Sequence, residues 1–128
     1  VLDAAKESGR YAIGVNTDQA MIFAESDPDK ANAILTSVVI DIGASIYNAV
    51  VKLEAGEAQW GTCENVGLES GVMYLAKNEF YEKNVPDDIK EQISALEEKA
   101  FAGEIDVLSA YTMDETELAD YLAAARPQ

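Results

Sequence analysis

The sequence has no histidine and only one cysteine, and those two scarcities remove most of the groups that enzymes use. Without histidine it lacks the commonest general base and the commonest metal ligand. Cys63, being alone, forms no internal disulfide, no CxxC redox pair and no thiolate zinc site. With no histidine to activate it, the thiol reads as a small apolar side chain rather than a nucleophile. Positive charge is scarce too: 9 Lys and Arg stand against 24 Asp and Glu, a net charge of −15. Such a balance repels a phosphate backbone and opposes broad contact with anionic lipid, so a nucleic-acid partner is not expected. No apolar run approaches the roughly 20 residues that span a bilayer, and Val1-Leu2-Asp3-Ala4 has neither a basic region nor a signal-peptide core. The GxGxxG, GxxxxGK[ST], GxSxG and HExxH signatures are absent. No catalytic residue, metal or cofactor is therefore assigned.

What is present fits one ordinary core, with 128 residues of which 48% are hydrophobic. The chain has no initiator Met and opens inside what reads as the last turns of a helix, Val1 to Glu7, ended by Gly9; it is read as a fragment. Residues 11 to 15, Tyr-Ala-Ile-Gly-Val, form a short apolar run expected to be a buried strand ending in Asn16-Thr17-Asp18. Asp27-Pro28-Asp29 reads as a loop, too short for a calcium site. Ala33 to Ile40 reads as a second buried strand, rich in β-branched residues and parallel to the first.

Asp41 is expected to cap an amphipathic helix with Ile42, Ile46, Ala49, Val50 and Leu53 on one stripe, closed by Gly56. Trp60 to Leu75, punctuated by Gly61, Gly67 and Gly71, reads as a strand followed by an irregular loop. Pro86-Asp87-Asp88 starts a helix with Ile89, Ile93, Leu96 and Ala100 on one face. Thr112 to Glu115 has the pattern of a capping box before a last helix, whose Leu118, Tyr121 and Leu122 are expected to cap the domain. Alternating strands and helices imply an α/β domain with a largely parallel sheet flanked by helices.

Few constellations could carry function. The pairs Asp87-Asp88 and Glu97-Glu98 are neighbours on helices, where adjacent side chains diverge, so they read as solvated surface rather than paired acids. Asn16, Thr17, Asp18 and Gln19 differ, because ligands of open α/β sheets sit outside the carboxyl ends of the strands. Asn and Asp at such turns also cap helices and satisfy loop backbone, and both readings stand.

Tyr-Ala-Ile-Gly-Val-Asn-Thr-Asp-Gln at 11 to 19, followed by Ile-Leu-Thr-Ser-Val-Val at 34 to 39, resembles the paired motifs of basic-membrane-protein receptors, whose pattern is approximately GVDxDQ and then LTSxxK. Trp60-Gly61-Thr62, Val66-Gly67-Leu68, Gly71-Val72 and the stretch from Val85-Pro86 to Gly103-Glu104-Ile105 resemble that family's closing segments in order and spacing. The likeness covers about residues 1 to 108. It implies the C-terminal portion of a type I periplasmic-binding-protein fold, two α/β lobes closing on a small ligand. Under it, residues 1–40 supply lobe strands and helices, 41–58 an amphipathic helix near the lobe crossover, with the other lobe or the preceding strands as its packing surface, 59–108 the closing segments and 109–128 an extra helix.

The resemblance further implies an extracytoplasmic, non-enzymatic receptor, periplasmic or a membrane-anchored lipoprotein. It would hand a nucleoside-like molecule to an ABC permease. Asp18 matches the second Asp of the motif, expected to accept hydrogen bonds from ribose hydroxyls, and Asn16 stands where Asp is usual, keeping an acceptor and losing a charge. Ile40 stands where many members have a ligand-contacting Lys, so a polar ligand loses a donor. Thr36, on the same strand face as Ile40 while Ser37 faces the other way, is the expected substitute donor. The ligand-binding set is thus Asn16, Asp18, Thr36 and Ile40. Two other classes compete: an enzyme, disfavoured by the missing histidine, and the effector domain of a transcription regulator, which a basic helix-turn-helix upstream would mark.

Overall fold

The computed structural model describes residues 1–64, 66–105, 110 and 113–126. A first helix, α1 (Leu2–Ser8), ends as its sequence requires, with Gly9 at φ 64 in the left-handed region and its N–H returned to the helix's last carbonyls. Strand β1 (Ala12–Asn16) follows, then two single-turn helices, α2 (Gln19–Phe23) and α3 (Pro28–Asn32), and then β2 (Ile34–Ile40). The stretch expected to be a loop at 27–29 is instead the start of α3: Asp27 accepts from the Lys30 N–H at 3.1 Å, and Pro28 occupies the first turn, where its missing donor costs nothing.

β1 and β2 pair in parallel, Gly14 opposite Ser37 and Asn16 opposite Val39. A third strand, β3 (Met73–Leu75), adds to the other side of β2, giving the order β1-β2-β3. This corrects the expectation of a largely parallel sheet, because β3 runs antiparallel, with Ile40 opposite Met73. It also corrects the order within 60–75, where irregular backbone and a 3-10 turn (Leu68–Ser70) come first and the strand last. An antiparallel edge strand on a parallel pair is a common mixed arrangement.

Between β2 and β3 lies α4 (Ile42–Glu54), capped by Asp41, whose carboxylate accepts from the Ala44 N–H at 2.8 Å. After β3 come α5 (Glu79–Asn84), capped by Asn78, α6 (Asp87–Phe101) and α7 (Glu115–Ala124). The capping box of α7 is formed by Asp114 and Glu117 rather than by Thr112 and Glu115; Thr112 lies outside the described residues. Tyr121 and Leu122 are exposed and α7 buries none of its residues, so this helix does not cap the domain here.

The core is small and centred on β2, where Ile34, Thr36, Ser37 and Val39 are buried together with Ala20, Ala31, Val72, Ala76, Tyr81 and Val85. β1 departs from its expected burial: Ile13 is 64% exposed and Tyr11 and Val15 are also open, leaving Gly14 as its buried residue. It is an edge strand with one uncovered face, and the tendency of its sequence to be buried exceeds what this chain covers. α4 forms as its pattern predicts, but Ile42, Ile46, Val50 and Leu53 are all exposed rather than packed on the strands.

Ion pairs fasten the first helices. Lys6 bonds both oxygens of Asp27, at 2.8 and 2.9 Å, and Lys30 pairs with Asp3. The Lys6 ammonium, and then the Lys30 backbone N–H, hold the Asp27 carboxyl below the ordinary aspartate range, while Asp27 raises Lys6. A carboxyl lowered on folding stabilises above its unfolded value and loses that contribution as pH falls through the lowered folded value. Acid unfolding below about pH 4 is therefore expected to weaken in its pH dependence when Lys6→Met removes the partner. Urea midpoints at stepwise lower pH, compared between the two proteins, measure this; identical slopes would deny the linkage.

Candidate functional site

The parallel pairing brings the carboxyl ends of β1 and β2 to one edge of the sheet. Asn16, the last residue of β1, lies opposite Val39, beside Ile40, the last residue of β2. Asn16 is the one non-glycine among the described residues with a positive φ, 73°. Asn and Asp tolerate that left-handed conformation through their short polar side chains. It turns the chain out of the strand, so that Asp18 follows at the same edge and caps α2. Backbone held in a sparsely populated region at a strand end is common at ligand-binding turns.

Asp18 is half-buried and its carboxylate is well occupied. The Met21 N–H approaches Oδ1 at 3.4 Å, a weak cap, while Asn78 Nδ2 donates to Oδ1 at 2.8 Å and to Oδ2 at 3.0 Å. Gln19 closes the same turn: its Nε2 donates to the Val15 carbonyl at 3.1 Å, and its backbone N–H donates to Ser37 Oγ at 3.1 Å. Ser37 is fully buried. The Ser of the Leu-Thr-Ser stretch thus reaches across the strand pair to anchor the Asp-Gln turn, which gives a physical reason for the two motifs to occur together.

Of the four residues read as a ligand-binding set, the structure brings Asn16, Asp18 and Ile40 to the edge and leaves Thr36 inside. Thr36 lies opposite Ile13, is buried, and donates its hydroxyl hydrogen to the Ala76 carbonyl at 2.8 Å. Four residues back from Ile40 along a strand is a distance of about 13 Å. Its donor serves the β2–β3 junction, so no replacement for the missing Lys comes from Thr36. Ile40 is 42% exposed at the end of its strand, an apolar side chain with room beside it.

Asn78 is the site residue that sequence reasoning missed. It stands 60 residues from Asp18, and the local signal, an Asn before Glu-Phe-Tyr, marks only a helix cap. Among the described residues, two concavities lie away from this edge: one is lined by Ala49, Lys52, Thr62 and Glu64, another by Ser45, Asn48 and Val66. Both are wide and open, and Lys52 is already paired with Glu64. The sheet edge, where polar groups converge at a strained turn, is the better candidate, since fixed polar groups rather than volume orient a ligand. Among the described residues no cluster of acidic or thiol groups is placed to hold a metal ion, and no helix is long and apolar enough to cross a membrane.

No curated protein matches the sequence. The family model for Bmp, ABC transporter substrate-binding protein PnrA-like, matches residues 1–109, which include both strands of the parallel pair, the Asn16–Asp18 turn and Asn78. With more than four-fifths of its length inside that match, the chain belongs to the Bmp family of PnrA-like ABC transporter substrate-binding proteins.

Proposed function

We propose that the chain supplies one wall of the ligand site in the extracytoplasmic receptor of an ABC importer, which takes a nucleoside-like small molecule between two lobes of a type I periplasmic-binding-protein fold and delivers it to its permease. The observation that carries this reading is the shared edge of β1 and β2, where Asn16 turns with positive φ and Asp18 presents a carboxylate, within a chain that matches the family. Acceptors at the carboxyl end of parallel strands are where an open α/β sheet meets a ligand. The bare apolar stripe of α4, with Ile42, Ile46 and Val50 exposed, supports a second lobe packed against residues 41–58, while residues 1–40 and 59–108 build this lobe and 109–128 add a helix. Membrane anchoring through a lipid completes the proposal, since a receptor held at the surface meets its permease at high effective concentration.

Ile40 sharpens the ligand. Where many relatives are expected to supply an ammonium, this edge offers a hydrocarbon, and the hydroxyl expected to replace it, that of Thr36, is committed to Ala76. The ligand is then a nucleoside held with fewer charged contacts, or a less polar molecule. Purine nucleosides are expected to raise the unfolding temperature of the intact protein only slightly. Ile40→Lys is expected to tighten nucleoside binding about tenfold, because a donor to a desolvated oxygen contributes about 1–3 kcal/mol. Thermal-shift titrations with guanosine and inosine on both proteins read the effect. Tight binding by the natural protein, lost on introducing Lys, would overturn the assignment of Ile40 as a change of ligand.

A further inference from the structure

We infer that Asn78 is a positioning residue for the Asp18 carboxylate, setting where that acceptor stands at the sheet edge; the inference rests on reading Asp18 as a ligand acceptor. Its amide cannot be turned the other way. Oδ1 accepts from the Phe80 N–H at 2.9 Å and the Tyr81 N–H at 3.0 Å, so Nδ2 must face Asp18, and a flip would set oxygen against carboxylate and NH2 against two N–H donors. Both carboxylate oxygens are then within bonding distance of one donor group, 2.8 and 3.0 Å away, which fixes the carboxylate's rotation as well as its place.

The base from which Asn78 reaches out is itself clamped. Two residues earlier, Ala76 gives its N–H to the Ser37 carbonyl at 2.9 Å and takes the Thr36 hydroxyl on its own carbonyl at 2.8 Å. Between them, Lys77 pairs with Glu97 of α6 at 2.6 Å, and that carboxylate raises the Lys77 ammonium above its usual range. Behind Asn78, α5 is seated by the buried Tyr81 and by Asn84 bonding the Asn32 carbonyl at 3.2 Å. The position of Asn78 is thus set by β2, α6 and α3 together, while Asp18 rests on a five-residue helix with a long cap bond. A polar group orients a ligand well when its own support is rigid.

The choice of an amide also suits a ligand acceptor. A Lys or Arg at this place would neutralise Asp18 and compete with an incoming hydroxyl, whereas Asn orients the carboxylate and leaves its charge. A carboxylate accepts at about four lone-pair positions. Asn78 and Met21 do not exhaust them, and the remainder can take hydroxyls of a polyol such as ribose.

The test separates orientation from folding. Asn78→Ser and Asn78→Asp both retain an oxygen to cap α5, but Ser cannot reach Asp18 and Asp meets it with like charge. With guanosine as the probe on the intact protein, Asn78→Ser is expected to lower affinity about threefold to tenfold and Asn78→Asp more than tenfold, with the unfolding midpoint of Asn78→Ser within a few degrees of wild type. The exchanged pair Asp18→Asn with Asn78→Asp restores an amide–carboxylate bond and should regain stability without regaining affinity. Unchanged guanosine affinity in both single variants, or affinity restored by the exchange, would overturn the inference. A reading independent of ligand comes from the Asn78 side-chain NH2 resonances in a nitrogen–proton NMR spectrum, which should move in Asp18→Ala and stay in place in Asp41→Ala. Resonances that do not move in Asp18→Ala overturn the inference whatever guanosine does. Absence of guanosine binding by the wild type, with the resonances moving as expected, removes the proposed ligand and leaves the role of Asn78 in place.

Discussion

Replacing Asp18 by alanine is expected to weaken nucleoside binding by the intact protein about tenfold to a hundredfold, the loss of one charge-assisted hydrogen bond worth about 1.5–3 kcal/mol. Asp18 accepts three hydrogen bonds from two partners in the fold: it caps α2 through Met21 and receives two bonds from Asn78. Truncation therefore releases Asn78 and loosens a turn as well as removing an acceptor. Asp18→Asn makes the distinction. Asparagine caps a helix about as well as aspartate, so α2 should survive while the anionic acceptor is lost. Titration calorimetry is expected to find both variants weakened, with the unfolding midpoint clearly lower only for alanine. Full affinity in Asp18→Ala would return the residue to the role of a turn former and remove the chief support for a ligand at this edge.

How far this arrangement was legible in the sequence depended on the range of the forces involved. Features set by neighbours in the chain were readable: the Gly9 stop with its positive φ, the Asp41 cap, the β-branched run of β2 and the stripe of α4. The parallel pairing and the edge position of Asn16 and Asp18 followed from strand order and motif. Burial was readable for β2, where Ile34, Thr36, Ser37 and Val39 are buried as its apolar run implies, but not for β1. Ile13 and Val15 are apolar enough for a core, yet their exposure depends on which elements lie across the sheet, and periodicity does not encode that. The sense of β3 was hidden for a related reason, since three residues, Met73 to Leu75, pair either way and their direction is fixed by where the chain returns from α4. The cap of α7 was misplaced by two residues because two hydroxyl- or carboxylate-to-Glu patterns overlap there, and the structure takes the one beginning at Asp114. In the site, Thr36 shares a face with Ile40 as alternation requires, but alternation alone could not reveal that its hydroxyl is bound to Ala76.

The largest expected effect on stability comes from Gly14, and it follows from space rather than from backbone freedom. Gly14 is buried opposite Ser37, and a Cβ built there would lie 2.4 Å from Ser37 Oγ, 3.0 Å from Gln19 Oε1 and 3.2 Å from Gln19 Cβ. Neither neighbour gives way freely: Ser37 Oγ holds the Gln19 N–H, and Gln19 closes the turn on the Val15 carbonyl. Gly14→Ala is therefore expected to cost about 1–3 kcal/mol, the usual range for forcing a methyl into a packed interior. Ser37→Ala alone should cost about 1–3 kcal/mol, since it leaves the Gln19 N–H without its acceptor. The two changes should not add. Once Ser37 lacks its oxygen, the methyl at position 14 has lost its hardest contact and meets the Gln19 side chain, so the double variant should unfold close to the Ser37→Ala midpoint. Urea unfolding of the four proteins gives the coupling directly. Additive costs would mean that the close approach of β1 and β2 at this pair is not what excludes a side chain. The same methyl bears on function, because Ser37 and Gln19 place the turn that carries Asp18. Gly14→Ala should thus lower nucleoside affinity as well as stability, and the Ser37→Ala background, which relieves the clash but not the lost anchor, should not restore the affinity.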